Sequence, residues 1–340
     1  MKKILVVAPN WIGDALFTTA AVRMIKRAYP DEEISVLAVP RAAEVFENNP
    51  DVAHIVINQE ESRPFWYPLA LIQQLGKRDF DAAFLFHRSR SRAWWTLLAG
   101  IPLRIGYNTK GRGFLLTHSI PEPSSTLHRI EYLVRLLHQI GIPGEAPFPI
   151  FAVGDRAKEF VRQRLGGKKK FAVLNPGGNW SPKRWPADRF ARLAGLLYEN
   201  LGLEIVVTGS LKDKRIAQEI KKKASCDVRV MAGETTLEEL GALIQAAELF
   251  VSNDSGPMHL AAALGTSLIA LFGPTSSKIT GPVGPGRIVV LQKDIGMPVP
   301  NPDPMLRDMR YMEAIEVPEV LRAAQLILGR TLSTVGEREG

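Results

Sequence analysis

Two polar, glycine-containing loops in the second half of the chain carry the side chains best suited to holding a phosphate. One is Asn253-Asp254-Ser255-Gly256-Pro257, which follows the apolar pair Phe250-Val251 and runs into the Ala-rich stretch Met258 to Leu264. Short polar side chains, a permissive glycine and a proline suited to a first turn open a helix whose free N–H groups and positive dipole end attract anions. The other is NPGGNWSPKRWP, Asn175 to Pro186, after the apolar run Phe171 to Leu174. Here Gly177 and Gly178 let the backbone approach a ligand, Asn179 and Ser181 offer hydrogen-bond donors, and Lys183 and Arg184 bring positive charge. The first loop alone reads equally well as a capped helix after a buried strand, but two phosphate-friendly loops in one half imply a diphosphate. Neither fits the GxGxxG or GxxxxGKS/T spacing, so nicotinamide chemistry and ATP hydrolysis lose their usual warrant. A nucleotide sugar is the natural diphosphate that remains.

A third loop supplies a carboxylate. In KKILVVAPNWIGDALF, Ile4 to Val7 read as a buried parallel strand, Asn10 to Gly13 as its exit loop, and Asp14 falls in or just before the first turn of the next helix. A carboxylate so placed can take the proton of an attacking hydroxyl, or it can cap the helix and face its dipole. The residues alone leave both readings open. The six histidines, His54, His87, His118, His128, His138 and His259, are dispersed without ligand spacing, which agrees with a chemistry that needs no metal, and no cofactor is expected.

In this order the three loops resemble the lipopolysaccharide heptosyltransferases, most like the type II members. The likeness runs through NWIGDA at 10–15, LAGIPLRIGY at 98–107, GRGFLLTH at 111–118, HRIEYLVRLL at 128–137, NPGGNWSPKRWP at 175–186, AGETTLEELGALI at 232–244 and NDSGPMHLAAALGTSLIALFGPT at 253–275. It implies an α/β fold of GT-B type, two Rossmann-like doubly wound domains facing across a cleft. It also implies inverting, metal-independent transfer of heptose from ADP-heptose to the heptosyl-Kdo2-lipid A inner core. By the same resemblance Asp14 takes the position of the catalytic base. Lys183 would neutralise the donor diphosphate, in a loop shared with Gly178, Asn179 and Ser181. Asp254 would hold sugar hydroxyls, while Ser255, Gly256 and His259 would hold the phosphates and adjacent sugar. Thr235 would lie beside the adenosine, and Gly209 and Ser210 where the nucleotide passes. A type I heptosyltransferase, another ADP- or UDP-sugar transferase and a non-hydrolysing nucleotide-sugar epimerase stand as alternatives. One departure is plain: many members carry a cysteine cluster before the motif that resembles MEAIEVPEV, and here residues 295–320 hold no cysteine.

Charge points to an anionic partner. Forty-three Lys and Arg against 35 Asp and Glu give a net charge of +8 and a pI of about 9.6. Arg88, Arg90 and Arg92, with Lys110 and Arg112 downstream, belong to the first half, where these side chains, the arginines Arg88, Arg90, Arg92 and Arg112 above all, are candidates for binding acceptor phosphates or acidic sugars. Trp94 and Trp95 could rest on lipid or sugar. The surplus also suits an anionic leaflet, so the expected partners are a nucleotide-sugar donor, a lipid A/Kdo acceptor and, peripherally, the cytoplasmic face of the inner membrane. No arginine-rich arm, zinc spacing or RNP-type aromatic motif supports nucleic acid as a partner. The single cysteine, Cys226, fits a reducing cytoplasm, and the N-terminal apolar run is too short and too broken for a signal peptide or a membrane span.

The elements that must position these residues alternate. Apolar runs at 4–7, 34–39, 82–86, 171–174, 204–208, 249–252 and 267–272 suit buried parallel strands, with helical patterns at 15–28, 187–200, 212–224 and 236–246 between them. Such alternation implies doubly wound sheets. A chain of 340 residues suits two domains, and the Gly/Pro-rich stretch 141–155 is the best boundary. The expected division is an acceptor domain over 1–150 and a donor domain over 155–315. The resemblance implies that a final helix, about 318–330, packs back on the first.

Overall fold

The computed structural model describes residues 2–59, 67–167, 170–296 and 309–329. Two units divide the chain: residues up to Gly154 with Lys278–Val283 form the first, and Asp155–Ser277 with the residues from Gly284 onward form the second. The first contains strands β1 (Lys3–Val7), β2 (Glu33–Ala38), β3 (His54–Ile57), β4 (Ala82–Leu85), β5 (Leu103–Tyr107) and β6 (His118–Ile120). They make one six-stranded parallel sheet in the order β3-β2-β1-β4-β5-β6. The second contains β7 (Phe171–Asn175), β8 (Glu204–Val207), β9 (Val228–Val230), β10 (Leu249–Asn253), β11 (Leu268–Phe272) and β12 (Ile288–Gln292). Its order is β12-β11-β10-β7-β8-β9, again all parallel. Counted from each unit's own first strand, both sheets have the Rossmann order 3-2-1-4-5-6.

The central strands form because their residues are apolar on both faces. Helices cover both sides of a parallel sheet, so β4, β7, β10 and β11 are buried along their whole length and show no polar alternation. Five strands lie outside the expected set: β5, β6 and β9 are mixed in composition (LRIGY, HSI, VRV), while β3 (HIVI) and β12 (IVVLQ) are apolar but short. Four of these are edges, β3, β6, β9 and β12, and polar residues such as His54, His118 and Arg229 interrupt three of them.

One expectation is corrected here. The last described helix, Val317–Ile327, does not leave the second unit. Val317, Val320, Ala323, Ala324 and Ile327 bury into the core shared with Phe190, Leu193, Ala194 and Leu197 of the helix Ala187–Leu201. Its apolar stripe recurs at helical spacing and matches a face of that helix, which decides the packing. Instead, the short segment 278–283 belongs to the first unit, where the Gly281 carbonyl lies 3.1 Å from His128 Nε2. Among the described residues no helix is long and apolar enough to cross a membrane.

Candidate functional site

In a doubly wound sheet the loops leaving two neighbouring strands part to opposite faces where the strand order reverses, and ligands bind in the gap at the carboxyl ends. In the first unit that gap lies between β1 and β4. The chain leaves β1 through Asn10 and enters the helix Ile12–Ala28 behind Trp11, an extended N-cap without a side-chain cap bond. The helix therefore starts earlier than residue 15, and Asp14 stands inside its first turn, at the positive dipole end. The opposite wall is Phe86 to Ser89, after β4. Between them is a cavity of about 240 Å³ lined by Asp14, His87, Arg88, Lys110, Arg129 and Tyr132, among others. Its lining holds three cations and one carboxylate.

Arg129 Nε lies 3.8 Å from Asp14 Oδ1, with both side chains about a third exposed. Arg129 opens the helix Arg129–Gln139, whose cap is the His128 ring: Nδ1 accepts from the Ile130 amide at 3.2 Å. That leaves the His128 proton on Nε2, which donates to Gly281. Arg88 pairs with Glu122 and lies over the Tyr132 ring, 5.8 Å from its centroid. Tyr107 Oη donates to the Tyr132 carbonyl at 2.8 Å. Burial pushes the Tyr107 hydroxyl up to about 12 and the Tyr132 hydroxyl higher still.

In the second unit the gap lies between β7 and β10. Asn253, the last residue of β10, donates to the Pro176 carbonyl at 2.9 Å and accepts from the Trp185 amide at 3.1 Å, joining its own loop to the loop after β7. Asn175, the last of β7, donates to the hydroxyls of Ser252 (2.9 Å) and Ser255 (3.0 Å). Within this frame Lys183 Nζ lies 2.6 Å from Asp254 Oδ2, and the Thr275 hydroxyl donates to the same oxygen at 2.6 Å. Trp185 anchors the loop: it is fully buried and its indole donates to the Ile315 carbonyl at 2.9 Å. Arg184 folds back on the Gly178 carbonyl through Nε and Nη2, at 2.8 and 2.6 Å. Ser255 is the N-cap of Gly256–Leu264 without a side-chain cap bond, so no side chain from the cap occupies the first-turn N–H groups.

The remaining loops of this edge adjoin. Ser210 donates to Asp213 Oδ2 from its amide (2.9 Å) and its hydroxyl (2.6 Å). Gly177 and Gly209 both press on Asp213, where an added Cβ would come within 2.7 and 2.8 Å of its side chain. The Gly233 amide donates to the Gly209 carbonyl at 2.8 Å, which sets the Thr235 loop beside Gly209. Thr236, not Thr235, caps the helix Leu237–Ala246, in a capping box with Glu239. Gly178, Asn179, Ser181, Lys183, Gly209, Ser210, Thr235, Asp254, Ser255 and Gly256 thus all lie on carboxyl-end loops of one sheet. His259 is buried one turn into the helix behind them.

Residues 68–299 match the family described as Glycosyltransferase family 9 (heptosyltransferase). The chain belongs to glycosyltransferase family 9. It is 31% identical over 306 residues to lipopolysaccharide heptosyltransferase 2 of Escherichia coli K12, covering 83% of this chain and 85% of that protein. It is 32% identical over the same length to lipopolysaccharide heptosyltransferase 2 of Salmonella typhimurium, with the same coverage. The solved structure of the E. coli ADP-heptose LPS heptosyltransferase II superimposes with a TM-score of 0.82 at 26% identity, covering 96% of this chain and 98% of that one. This family 9 chain is accordingly a glycosyltransferase, an α/β protein with two Rossmann-like units of GT-B type.

Burial corrects two of the four expected acceptor arginines of this family 9 chain. Arg112 is buried, and its guanidinium donates to the carbonyls of Tyr107 (2.9 Å), Leu85 (3.2 Å), Ser89 (3.2 Å) and His87. It gathers the ends of β4 and β5 rather than facing a substrate, and burial pulls it down to about 10. Arg92 is also buried, 4.0 Å from the Trp95 ring centroid. The helix Arg90–Leu98 begins inside the RSRSR run, so residues two apart point to opposite sides. Arg90 is exposed but lies over Phe114, outside the cavity lining; Arg88 alone of the four lines it.

Lys110, named beside the arginines in the sequence, also lines the cavity, whereas Arg129 and Thr275 are additions the candidate set lacked. Arg129 and Thr275 lie within HRIEYLVRLL and the end of LFGPT, segments that carry the resemblance yet show no loop signature of their own. The tripeptide Asp79-Phe80-Asp81 precedes β4, at the far end of that strand from the cavity, and Asp81 accepts from the Lys2 and Lys3 amides. Among the described residues no group of three or more His, Cys, Asp or Glu is gathered as a metal site. Residues 297–308, part of the cysteine-free stretch 295–320, lie outside the described residues.

Proposed function

We propose that this transferase moves heptose from ADP-heptose onto heptosyl-Kdo2-lipid A, the type II reaction, at the cytoplasmic face of the inner membrane. Both of the relatives above carry the type 2 name. The observation that carries the reading is the pair of switch-point sites in one family 9 chain: Asp14 in a cation-lined cavity, and Lys183 ion-paired beside an uncapped helix N-terminus.

In this mechanism Asp14 takes the proton of the acceptor hydroxyl as that oxygen attacks the anomeric carbon. The bond to ADP breaks on the opposite face, which inverts the configuration. Negative charge then grows on the departing diphosphate, where Lys183 and the amides around Ser255 and Gly256 meet it. Asp254, itself fixed by the Thr275 hydroxyl, holds Lys183 in advance, so the lysine's attraction grows with the charge and requires little rearrangement. Asp254 thereby acts on the ammonium as well as on sugar hydroxyls. Gly209, Ser210 and Thr235 border the nucleoside, and Gly178, Asn179, Ser181 and His259 complete the donor site. On the acceptor side Arg88, Lys110 and Arg129 hold phosphate or carboxylate groups. No step calls on a metal ion, and turnover in excess chelator should equal turnover without it.

The test is ADP release from ADP-heptose with lipid A acceptors bearing Kdo alone or Kdo plus one heptose. Release that depends on the pre-heptosylated acceptor supports the type II reaction. Preference for the Kdo-only acceptor reassigns the chain to type I, and no release with either rejects the heptose reading.

A further inference from the structure

The helix Arg90–Leu98 has a face that takes no part in the Asp14 cavity. Arg92, Ala93, Trp95 and Thr96 turn inward, while Arg90, Trp94 and Leu98, spaced four apart, turn outward. Trp94 is 42% exposed and Leu98 59%, and Phe114, from the turn Gly113–Leu115, is 66% exposed. The Phe114 and Trp94 rings meet edge to face with centroids 6.0 Å apart, and the Arg90 guanidinium lies 5.9 Å from the Phe114 centroid. Single exposed apolar side chains are ordinary; aromatic rings assembled against one another in water, with a leucine one turn further along the same helix face, mark a contact surface.

Charge says what kind of contact. Between Asp81 and Glu122 the chain carries six Lys or Arg and no Asp or Glu. Arg90 lies over Phe114 and the exposed Lys110 sits on the turn just before it, so the apolar face carries positive charge beside it, while Arg88 is paired with Glu122. We propose that Arg90, Trp94, Leu98 and Phe114 form a docking face for an anionic lipid leaflet. The two rings and Leu98 enter the boundary between headgroups and acyl chains, and the arginine stem lies along them while its guanidinium meets lipid phosphates. Lys110 belongs to the turn just before Phe114 and lines the Asp14 cavity with Arg88, so the face adjoins the acceptor site. A lipid-anchored acceptor would then reach Asp14 without leaving the leaflet; this last consequence rests on the proposed function, the docking itself does not.

The test is sedimentation of the full chain with phosphatidylcholine vesicles containing or lacking phosphatidylglycerol, with no donor or acceptor present. The native chain should bind only the anionic vesicles, less at high salt. The double variant Trp94→Ser/Phe114→Ser should lose about tenfold or more in partitioning, and Arg90→Glu a similar factor by charge reversal. The double variant should turn over a deacylated, water-soluble acceptor as the native chain does, which shows its fold intact, and lose activity only on acceptor embedded in vesicles. Should it fail to fold, Leu98→Gln and Arg90→Glu carry the same test singly. Equal binding by native chain and variants, equal binding to both kinds of vesicle, or no vesicle binding at all would overturn the proposal. So would a native dimer that the double variant dissociates without any effect on vesicles. Because the vesicle assay contains no sugar substrate, failure of the heptose reading would leave its result intact.

Discussion

The gap between β1 and β4 and the gap between β7 and β10 occupy the same place in the same topology, yet their side chains are held very differently. In the first, Arg129 stands 3.8 Å from Asp14 and both are about a third exposed. In the second, Lys183 is 2.6 Å from an Asp254 carboxylate only 5% exposed, and hydrogen bonds donated by Asn175, Asn253 and Thr275 tie the surrounding loops together. Strand order locates a site; side-chain anchoring decides what it can do. A base must reach an incoming hydroxyl and so gains from an open setting. A group that meets developing charge gains from being fixed before the charge appears.

Breaking each site should therefore have a different signature. The largest effect belongs to Asp14→Ala, which should lower turnover by about 10² to 10⁴, read as ADP release at saturating donor. Lys183→Ala should lower kcat/KM by about 10² or more, with weaker donor affinity, since it also leaves the buried Asp254 with Thr275 as its remaining donor in this network. A different quantity should move in Arg112→Met: unfolding stability falls by about 2–4 kcal/mol in a denaturant titration because several buried carbonyls lose their donor, while acceptor KM at low temperature stays put. A raised KM at unchanged stability would restore Arg112 to the acceptor site. Thr275→Val is milder, about 1 kcal/mol, seen as a several-fold loss of donor affinity.

The smallest effect lies at alkaline pH. Tyr107 and Tyr132 are neutral in the fold well above the ordinary tyrosine value of 10.0, with Tyr107 held up to about 12. Their raised values contribute stability that is complete below pH ~10 and is lost as pH rises through the folded values. Spectrophotometric titration of the native chain should show these two phenols ionising last, with stability falling from pH ~10 upward. Normal ionisation near 10 in the folded state would contradict their burial.

How much of this was legible in the sequence follows from where each residue lies. Strands buried on both faces, such as β1, β7 and β10, announce themselves as apolar runs, and glycine-proline loops announce the edge that holds Lys183 and Asp254. The edges β6 and β9 could not be seen that way, because three residues of mixed composition, HSI and VRV, make no run; β3 and β12 do carry apolar residues, HIVI and IVVLQ, in short half-exposed strands. The arginines were harder still. RSRSR shows charge but not direction, and only the Ser89 cap, whose hydroxyl accepts from the Ser91 amide at 3.1 Å, fixes the helix phase that turns Arg92 inward. Arg112 looked like a surface cation because sequence does not show that four strand-end carbonyls converge on one point. Arg129 was hidden for the opposite reason: at the start of an amphipathic helix it looks like an ordinary first-turn residue until packing sets it against Asp14.

The central claim is that the two switch points divide the work, one moving the proton and the other holding the donor. The most direct measurement is donor affinity and turnover determined together for Asp14→Ala and Lys183→Ala, by calorimetric titration of ADP-heptose and by ADP release. The account predicts a crossed pattern: Asp14→Ala binds donor as the native chain does and fails to turn over, whereas Lys183→Ala binds it weakly. Retained turnover in Asp14→Ala, or an equal loss of donor affinity in both variants, would contradict it.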